Sequence, residues 1–365
     1  MNGTLFRYVL RTYVQFAVGI FAAVLTVFLV VDYVDRARTY ANGTAWDVLV
    51  LYANKALVTT QQLGPAALLL AAGATVSSLR KRGEVTAMRA LTFGPSALYL
   101  PVLLCVGAAC AGLVAFDEWV GAEASRRVEE ITVKRFNRWG DWGLYHTPKQ
   151  WFRRGEHIFH LRGGSLQEGF QDVSVLTVTP DFRLVRRLDA ETMQPLEGRR
   201  WRLGNMVERT FGRKGESEVR VAESGEYDFG VPAEAFRIRP GRPEQMQVPV
   251  LREQIGARGE LGLETRQFSL ALHNRFSYPL AGIPAALLAV GLALRPGRKG
   301  HLTAALVEGL LISVTMWGLM VVARTLVLTE RLAPAVAAWM PLVLLVLLAG
   351  LLWLQGEGWP RRSGA

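Results

Sequence analysis

Between two strongly apolar runs the chain reads RKRGEVTAMRAL, residues 80–91, which sets Arg80, Lys81, Arg82 and Arg89 around a single acid, Glu84. One carboxylate among guanidinium groups, on a segment long enough for one short helix, has the chemistry of a gripped surface. It suits charge-assisted contact with another macromolecule, and such bonds are roughly twice as strong as neutral ones. Catalytic constellations are scarce by comparison. No GxxxxGK[ST] loop is present to cradle phosphates; GRKG at 212–215 and again at 297–300 lacks the spacing. HExxH and GxSxG are absent as well. His157 and His160 have the residue type of a metal pair, but three positions apart in a strand they face opposite sides.

The elements that must position this loop are set by composition. Half of the 365 residues are hydrophobic, yet 42 Lys+Arg stand against 31 Asp+Glu. Mean hydropathy is +0.20. A chain both greasy and basic is ordinary for an integral membrane protein with charged loops and unusual for a soluble domain. Segments near 14–31, 57–79, 97–116, 276–294, 302–323 and 334–354 are each apolar enough to cross a bilayer, for which about 20 residues are needed. The first follows Arg7 and Arg11, but its apolar run is too long for a signal peptide and no A-x-A site follows, so it reads as an uncleaved span. Cys105 and Cys110 lie inside an apolar run and imply no disulfide framework.

Basic residues set the orientation. With both termini cytoplasmic, the inner segments hold Arg7, Arg11, Arg80, Lys81, Arg82, Arg89, Arg295, Arg298, Lys299, Arg361 and Arg362. The short outer loops hold Arg36, Arg38, Lys55, Arg324 and Arg331, diluted by Asp32, Asp35, Asp47 and Glu330. The long stretch between spans three and four is then external. No inner segment is large enough for a folded ATPase, so energy must come from a partner.

The external region has another grammar. EHIFHLRG, DVSVLTVTP, FRLVRRLDA, RRWRLGN, MVERTF, SEVRVA and GEYDFGV are short runs rich in Val, Phe, Tyr, Thr and Arg. Turn residues separate them roughly every 8–12 positions, the spacing of an all-β sandwich or barrel. Phe182, Leu184 and Leu188 read as one strand face interrupted by Arg186, either an ordinary core or the lining of an apolar groove. After residue 240, Leu251 and Ile255 have helical spacing, and a short helix leads back to span four. The expected domains are 1–125 for the first three spans with a surface helix at about 81–92, 126–242 for the β domain, 243–275 for a helical connector, and 276–365 for the last three spans.

These residues carry a resemblance. RKRGEVTAMRALTFG is similar to the coupling segment R-x-x-E-[LIV]-x-x-[ML]-[RQ]-A-x-G of the LptF/LptG (YjgP/YjgQ) permeases of bacterial lipopolysaccharide export. DYVDR, LGPAALLLA, FDEWVGAEAS, RLVRRLDAE with WRLGN, MQVPVLREQI and ALHNRFSYPLA follow the family in order and topology. YVDR and RALTFG lean to the LptG side.

The resemblance implies an integral α-helical membrane protein with six transmembrane helices and an inserted periplasmic β-jellyroll-like domain, placed in the bacterial inner membrane. It implies a paralogous permease as partner in an LptF/LptG heterodimer, an LptB-like cytoplasmic ATPase dimer, and periplasmic LptC/LptA-like bridge proteins. Lipopolysaccharide is the implied cargo, in contact with membrane lipids; no nucleic acid is expected. The chain itself would be a transport subunit needing no cofactor, with ATP-Mg held by the ATPase. The family's coupling acid falls on Glu84, with Val85, Met88, Arg89 and Leu91 beside it on the docking segment. Arg36, Arg38, Arg126 and Arg127 lie where a lipid phosphate rim would be, and Phe182, Leu184 and Leu188 where a periplasmic lipid groove would run. The sequence departs from several members in having Asp32 where they carry a base before [FY]VD. It also has Glu129 and Thr132 where they carry arginines past EWV.

Within the spans, Glu308 is either a partner-facing carboxylate or a residue reaching the cytoplasmic interface. TTQQ, Thr59 to Gln62, either lines a headgroup path or bonds to neighbouring helices. Two other functions remain open from sequence: a permease for another envelope lipid or lipoprotein, and an envelope protein that transports nothing.

Overall fold

A computed structural model describes residues 3–40, 43–136, 150–165, 169–196, 198–212, 217–231, 233, 242–260, 263–295 and 301–354. GRKG at 297–300, and with it Arg298 and Lys299, and also Arg361 and Arg362, lie outside the described residues. The chain divides into two compact units, Met1–Arg138 with Ser269–Ala365, and Trp139–Phe268.

The first unit is helical. It contains α1 (Gly3–Tyr40), α2 (Ala45–Lys81), α3 (Glu84–Ala90), α4 (Ser96–Phe116), a π turn at Asp117–Gly121, and α5 (Ala122–Phe136). After the inserted unit come α7 (Arg266–Leu280), α8 (Gly282–Ala293), α9 (Leu302–Leu328) and α10 (Pro334–Leu354). Among the described residues, six helical rods are long and apolar enough to cross a membrane. Several overshoot the expected spans. The 38 residues of α1 make a rod of about 57 Å, well beyond the roughly 30 Å hydrocarbon core.

α2 is the axis of this unit. From Gly64 to Leu79 nearly every residue is buried, and apart from Pro65 and Val76 the run is built from Ala, Gly, Ser, Thr and Leu. Small side chains let helices approach closely, which drives association where no water is available to be expelled. At Gly309 of α9 a Cβ would sit 2.7 Å from a Leu70 methyl, so a side chain there would force Leu70 to shift. Thr44 and Asp47 close a reciprocal capping box at the start of α2. The fourth span breaks between α7 and α8 because Pro284 offers no N–H to the carbonyl one turn back. By contrast α1 and α9 turn Val18, Val27, Val31, Leu310, Val314 and Trp317 outward.

The expected boundary at residue 125 shifts. α5 continues the third span past the π turn, and its end belongs to the helical unit through Phe136, which packs with Tyr40 and Leu51. Its polar surface is stitched by Glu123 with Arg126 and Arg127. In the connector, α6 (Val248–Glu260) falls within the second unit, while most of α7 falls within the first.

The second unit is an antiparallel sheet of six strands in sequential order: β1 (Gln150–Arg154), β2 (His157–Ser165), β3 (Gly169–Val178), β4 (Leu184–Pro195), β5 (Arg200–Phe211) and β6 (Ser217–Asp228). The inserted all-β domain is therefore present. Its described strands run as a meander, without the Greek-key crossings of a jellyroll. Phe159, Leu161, Val173, Val175, Leu188 and Ala190 fill one face. The buried parity then changes, to Phe170, Met193, Leu203 and Trp201. The change falls on one row, Asp172, Glu191 and Asn205, flanked by the pairs Gln171↔Thr192↔Gly204 and Val173↔Ala190↔Met206. Asp172 and Asn205 there adopt φ of 53° and 48°, a left-handed conformation that Asp and Asn tolerate better than other non-glycine residues. All three strands switch together, so the pairing register is kept. Phe229 and Val231, just past β6, complete the core, and the Trp201 indole donates to the Val231 carbonyl at 3.0 Å.

Candidate functional site

The polar loop after α2 is held from both ends. Arg80 donates to the carbonyls of Ala293 and, at 3.0 Å, Arg295, where α8 leaves its last acceptors without helical partners. Gly83 then turns the chain with φ 77° and starts α3. A residue with a side chain would be strained at that angle. Val85 and Met88 are only 2% and 6% exposed and pack into the unit's own core with Leu79 and Leu98. This corrects the expected docking face: the i, i+3 apolar pair seats α3 on its own bundle. What the helix leaves outward is Thr86, Ala87, Ala90 and Leu91, the last 68% exposed, with Glu84 and Arg89 half-buried at the edge. Glu84 Oε1 accepts a hydrogen bond from the Tyr8 hydroxyl of α1 at 2.9 Å, and Arg82 lies 3.9 Å from the same oxygen. Sequence reasoning missed Tyr8, since the two residues are 76 positions apart.

The four rim arginines are placed as two pairs. Arg36 meets Asp32 at 3.2 Å, and Arg38 is exposed two residues on. Arg126 and Arg127 both meet Glu123, at 2.7 and 3.0 Å. The Glu123 pairs are exposed, and ion pairs of that kind contribute about 0–1 kcal/mol. Asp32 also binds Lys55 and, at 2.8 Å, the Tyr52 hydroxyl. Lys55 of α2 thus stands beside Asp32 of α1. The signal for it was present, an acid and a lysine in one outer region, but the pairing was not.

A buried charge cluster escaped the sequence reading entirely. Arg275 of α7 is 7% exposed and lies 3.5 Å from Asp117 and 3.1 Å from Glu118 of the π turn. π turns of this sort recur at functional sites, and ionisable groups inside a membrane are retained for a purpose. FDEW and HNRF were noticed only as separate stretches. Glu308 is half-buried two turns into α9, with interactions of its own. In TTQQ, Thr59 is buried, Thr60 bonds back to Ala56, and the Gln62 carbonyl accepts from Tyr278 of α7. That segment bonds to its own and to a neighbouring helix.

In the sheet, the expected face divides. Leu188 is core and Leu184 half-buried, but Phe182 precedes β4 in a turn with φ 58° and is 70% exposed. Its ring lies under the Arg153 guanidinium at 4.5 Å. Phe182 therefore leaves the set: the turn ends before the strand's alternation begins. Arg186, which interrupts that face, pairs with Glu208 at 3.7 Å. His157 bonds Thr177 at 3.2 Å while His160 stacks on Trp151 at 4.1 Å, so the two imidazoles have separate partners. Burial pushes the His157 imidazole below its usual proton affinity, with Arg186 acting the same way against Glu156. At Asp189 burial pushes the carboxyl up, but hydrogen bonds from Arg187 and Ser174 and the charges of Arg187 and Arg209 outweigh it, leaving it low.

Comparison with known proteins decides the family. The sequence pattern described as lipopolysaccharide export system permease LptF/LptG matches residues 7–355. The chain belongs to the LptF/LptG family. The match spans all six rods and the inserted sheet, and does not separate LptF from LptG. Comparison with curated proteins finds no match. Membership makes the chain a membrane-embedded permease of the lipopolysaccharide export type, a transport subunit that works with partner proteins.

Proposed function

We propose that this permease is one half of a paralogous LptF/LptG pair in the bacterial inner membrane, with both termini cytoplasmic and the sheet periplasmic. An LptB-like ATPase dimer, holding ATP-Mg, drives it. Each cycle extracts lipopolysaccharide from the outer leaflet of that membrane and passes it upward to LptC/LptA-like bridge proteins bound for the outer membrane. YVDR and RALTFG favour the LptG role. The observation that carries the reading is the family match over residues 7–355 on a chain with an all-β insert between its third and fourth spans.

In this reading Arg36, Arg38, Arg126 and Arg127 present guanidinium groups to lipid phosphates, which they bind bidentately while staying charged. Lys55, held by Asp32, adds a cation to the same rim. Leu184, at the half-buried start of β4, offers an apolar contact for acyl chains in the sheet, with Leu188 behind it. Glu84 engages a base on the ATPase.

Photo-crosslinkers at positions 36, 38 and 184 test the route in the assembled complex. Lipopolysaccharide should be captured at 36 and 38 without ATP, and ATP should lower that yield while raising capture at 184. Mass spectrometry of the captured lipid distinguishes lipopolysaccharide from another envelope lipid. Transport without capture at any of these positions would overturn the route.

A further inference from the structure

We propose that Arg186 is an anion-binding residue of the sheet, placed to take the phosphate of an amphiphile whose chain lies against the apolar residues beside it. This rests on the reading of Leu184 as a contact for acyl chains. Arg186 stands in β4 between the half-buried Leu184 and the buried Leu188, and alternation puts all three on one face. Its partners across the strands are Thr177 of β3 and Thr210 of β5, and Thr177 pairs in turn with His157 of β2. The apolar row Phe159, Val175 and Leu188 is thus followed by a row of hydroxyls, an imidazole and one guanidinium.

That guanidinium is loosely held. Among the described residues its N–H groups make no hydrogen bond: Glu208 stops 3.7 Å away, beyond bonding distance, and the buried Nε has no partner. Its other contact is the Tyr227 ring, 5.6 Å from the guanidinium carbon. On the opposite face Arg187 and Arg209 reach Asp189 at 2.8 and 2.7 Å, so this sheet does pair guanidinium groups closely where it pairs them. Glu208 is engaged elsewhere. It accepts from the Tyr227 hydroxyl at 3.0 Å and has Arg220 opposite it on β6. The exposed Glu218 lies across from Thr210. The charge of Arg186 is also felt at His157, where it adds to burial in lowering the proton affinity against the opposing effect of Glu156. The Arg186 side chain is 29% exposed although Nε exposes nothing, so an incoming group meets other parts of it. A phosphate oxygen at the terminal nitrogens supplies the close counter-charge that Glu208 does not, in the bidentate geometry that suits arginine. A cation with bonds to spare beside leucines selects an anionic head joined to an apolar chain.

Photolabelling of the assembled complex in an uncharged maltoside detergent tests this with two probes, a diazirine-bearing dodecyl phosphate and the matching dodecanol. Labelled peptides from β4 are counted by mass spectrometry. The phosphate probe should label β4 about tenfold more than the alcohol, the range of a hydrogen bond to a charged group. Arg186→Gln should bring the phosphate probe down to the level of the alcohol and leave the alcohol unchanged. Arg186→Lys should keep an intermediate preference, because it keeps the charge and loses the planar fork. A merely structural brace on Tyr227 predicts instead that both probes change together. Inorganic phosphate should compete little, since it lacks the chain. If neither probe labels β4, the acyl-contact reading fails and this inference with it. If the alcohol labels β4 but the phosphate probe has no advantage, or keeps its advantage in Arg186→Gln, the acyl contact stands and the role given to Arg186 is overturned. Full competition by inorganic phosphate would overturn the amphiphile as its ligand.

Discussion

The helical unit and the sheet each hold a charge triad, and the two are mirror images. In the bundle one base, Arg275, faces two acids, Asp117 and Glu118, at 3.5 and 3.1 Å. In the sheet one acid, Asp189, faces two bases, Arg187 and Arg209, at 2.8 and 2.7 Å. Distance alone ranks the sheet triad as the stronger. Burial reverses that order, because Arg275 is 7% exposed while the arginines around Asp189 are 46% and 41% exposed. A group that water can reach is solvated again when its partner goes; one inside a bundle is left stranded. The contrast says that the bundle depends on Arg275 more than the sheet depends on Asp189.

The largest expected effect is therefore at Arg275. Arg275→Met leaves two carboxylates without their base and should destabilise the bundle by about 3–5 kcal/mol. Less folded protein should be recovered in detergent, read as a smaller monodisperse peak in size-exclusion chromatography. Changing Asp117→Asn and Glu118→Gln in the same chain should recover much of the loss by removing the stranded charge. A stable Arg275→Met protein would mean that water reaches this turn, and the contrast between the units would collapse.

The same contrast explains what could be read from sequence. All six spans were legible, because continuous apolar runs need no knowledge of the fold. Their lengths were not: α5 is polar, AEASRRVEEITVKRF, and its helix is sustained by i, i+4 pairing and by packing of Phe136. In the sheet the strands were legible from alternation, but Asp172, Glu191 and Asn205 move the buried parity by one position. The expected set at Phe182, Leu184 and Leu188 failed at its first member for a similar reason, a turn residue outside the alternation. For α3, the resemblance put Val85 and Met88 on the docking segment, and their residue types do not tell whether they pack on this chain or on a partner. Glu84 and the arginines at 36, 38, 126 and 127 stand out by type alone, whereas the contacts of Tyr8, Lys55 and Arg275 involve partners distant in sequence.

Acid sharpens the comparison, with a smaller effect confined to the sheet. The folded state lowers the proton affinity of His157 relative to the free imidazole near 6.5. As pH falls below about 6.5, the unfolded chain takes up that proton first, and stability is lost. Asp189, also lowered, contributes stability above a free carboxyl value of about 3.9 and loses it as pH falls through the folded value. The two windows have the same sign and follow one another. Pulse proteolysis of the intact protein, read as cleavage within β2 to β6, should increase from pH 7 to pH 5. His157→Asn should flatten that rise, since the amide keeps a polar contact with Thr177 and has no proton to gain. An unaltered slope in the variant would assign the acid sensitivity to another group.

The smallest effect is expected at Asp189 itself. Asp189→Asn removes the shared charge of Arg187 and Arg209 yet leaves an oxygen for the Ser174 hydroxyl, now at 2.7 Å. Both guanidinium groups can turn to water, so the loss should be about 0–1 kcal/mol despite the short distances. Salt gives a second reading of the same point. Raising ionic strength to about 1 M shortens the screening length to about 3 Å, which should erase most of the remaining difference between the variant and the parent protein. It should do little to the loss caused by Arg275→Met, because ions do not reach a charge inside the bundle. A cost at Asp189 as large as that at Arg275, or one insensitive to salt, would show that the sheet's outer network is sealed from solvent by something that covers it in the assembled transporter.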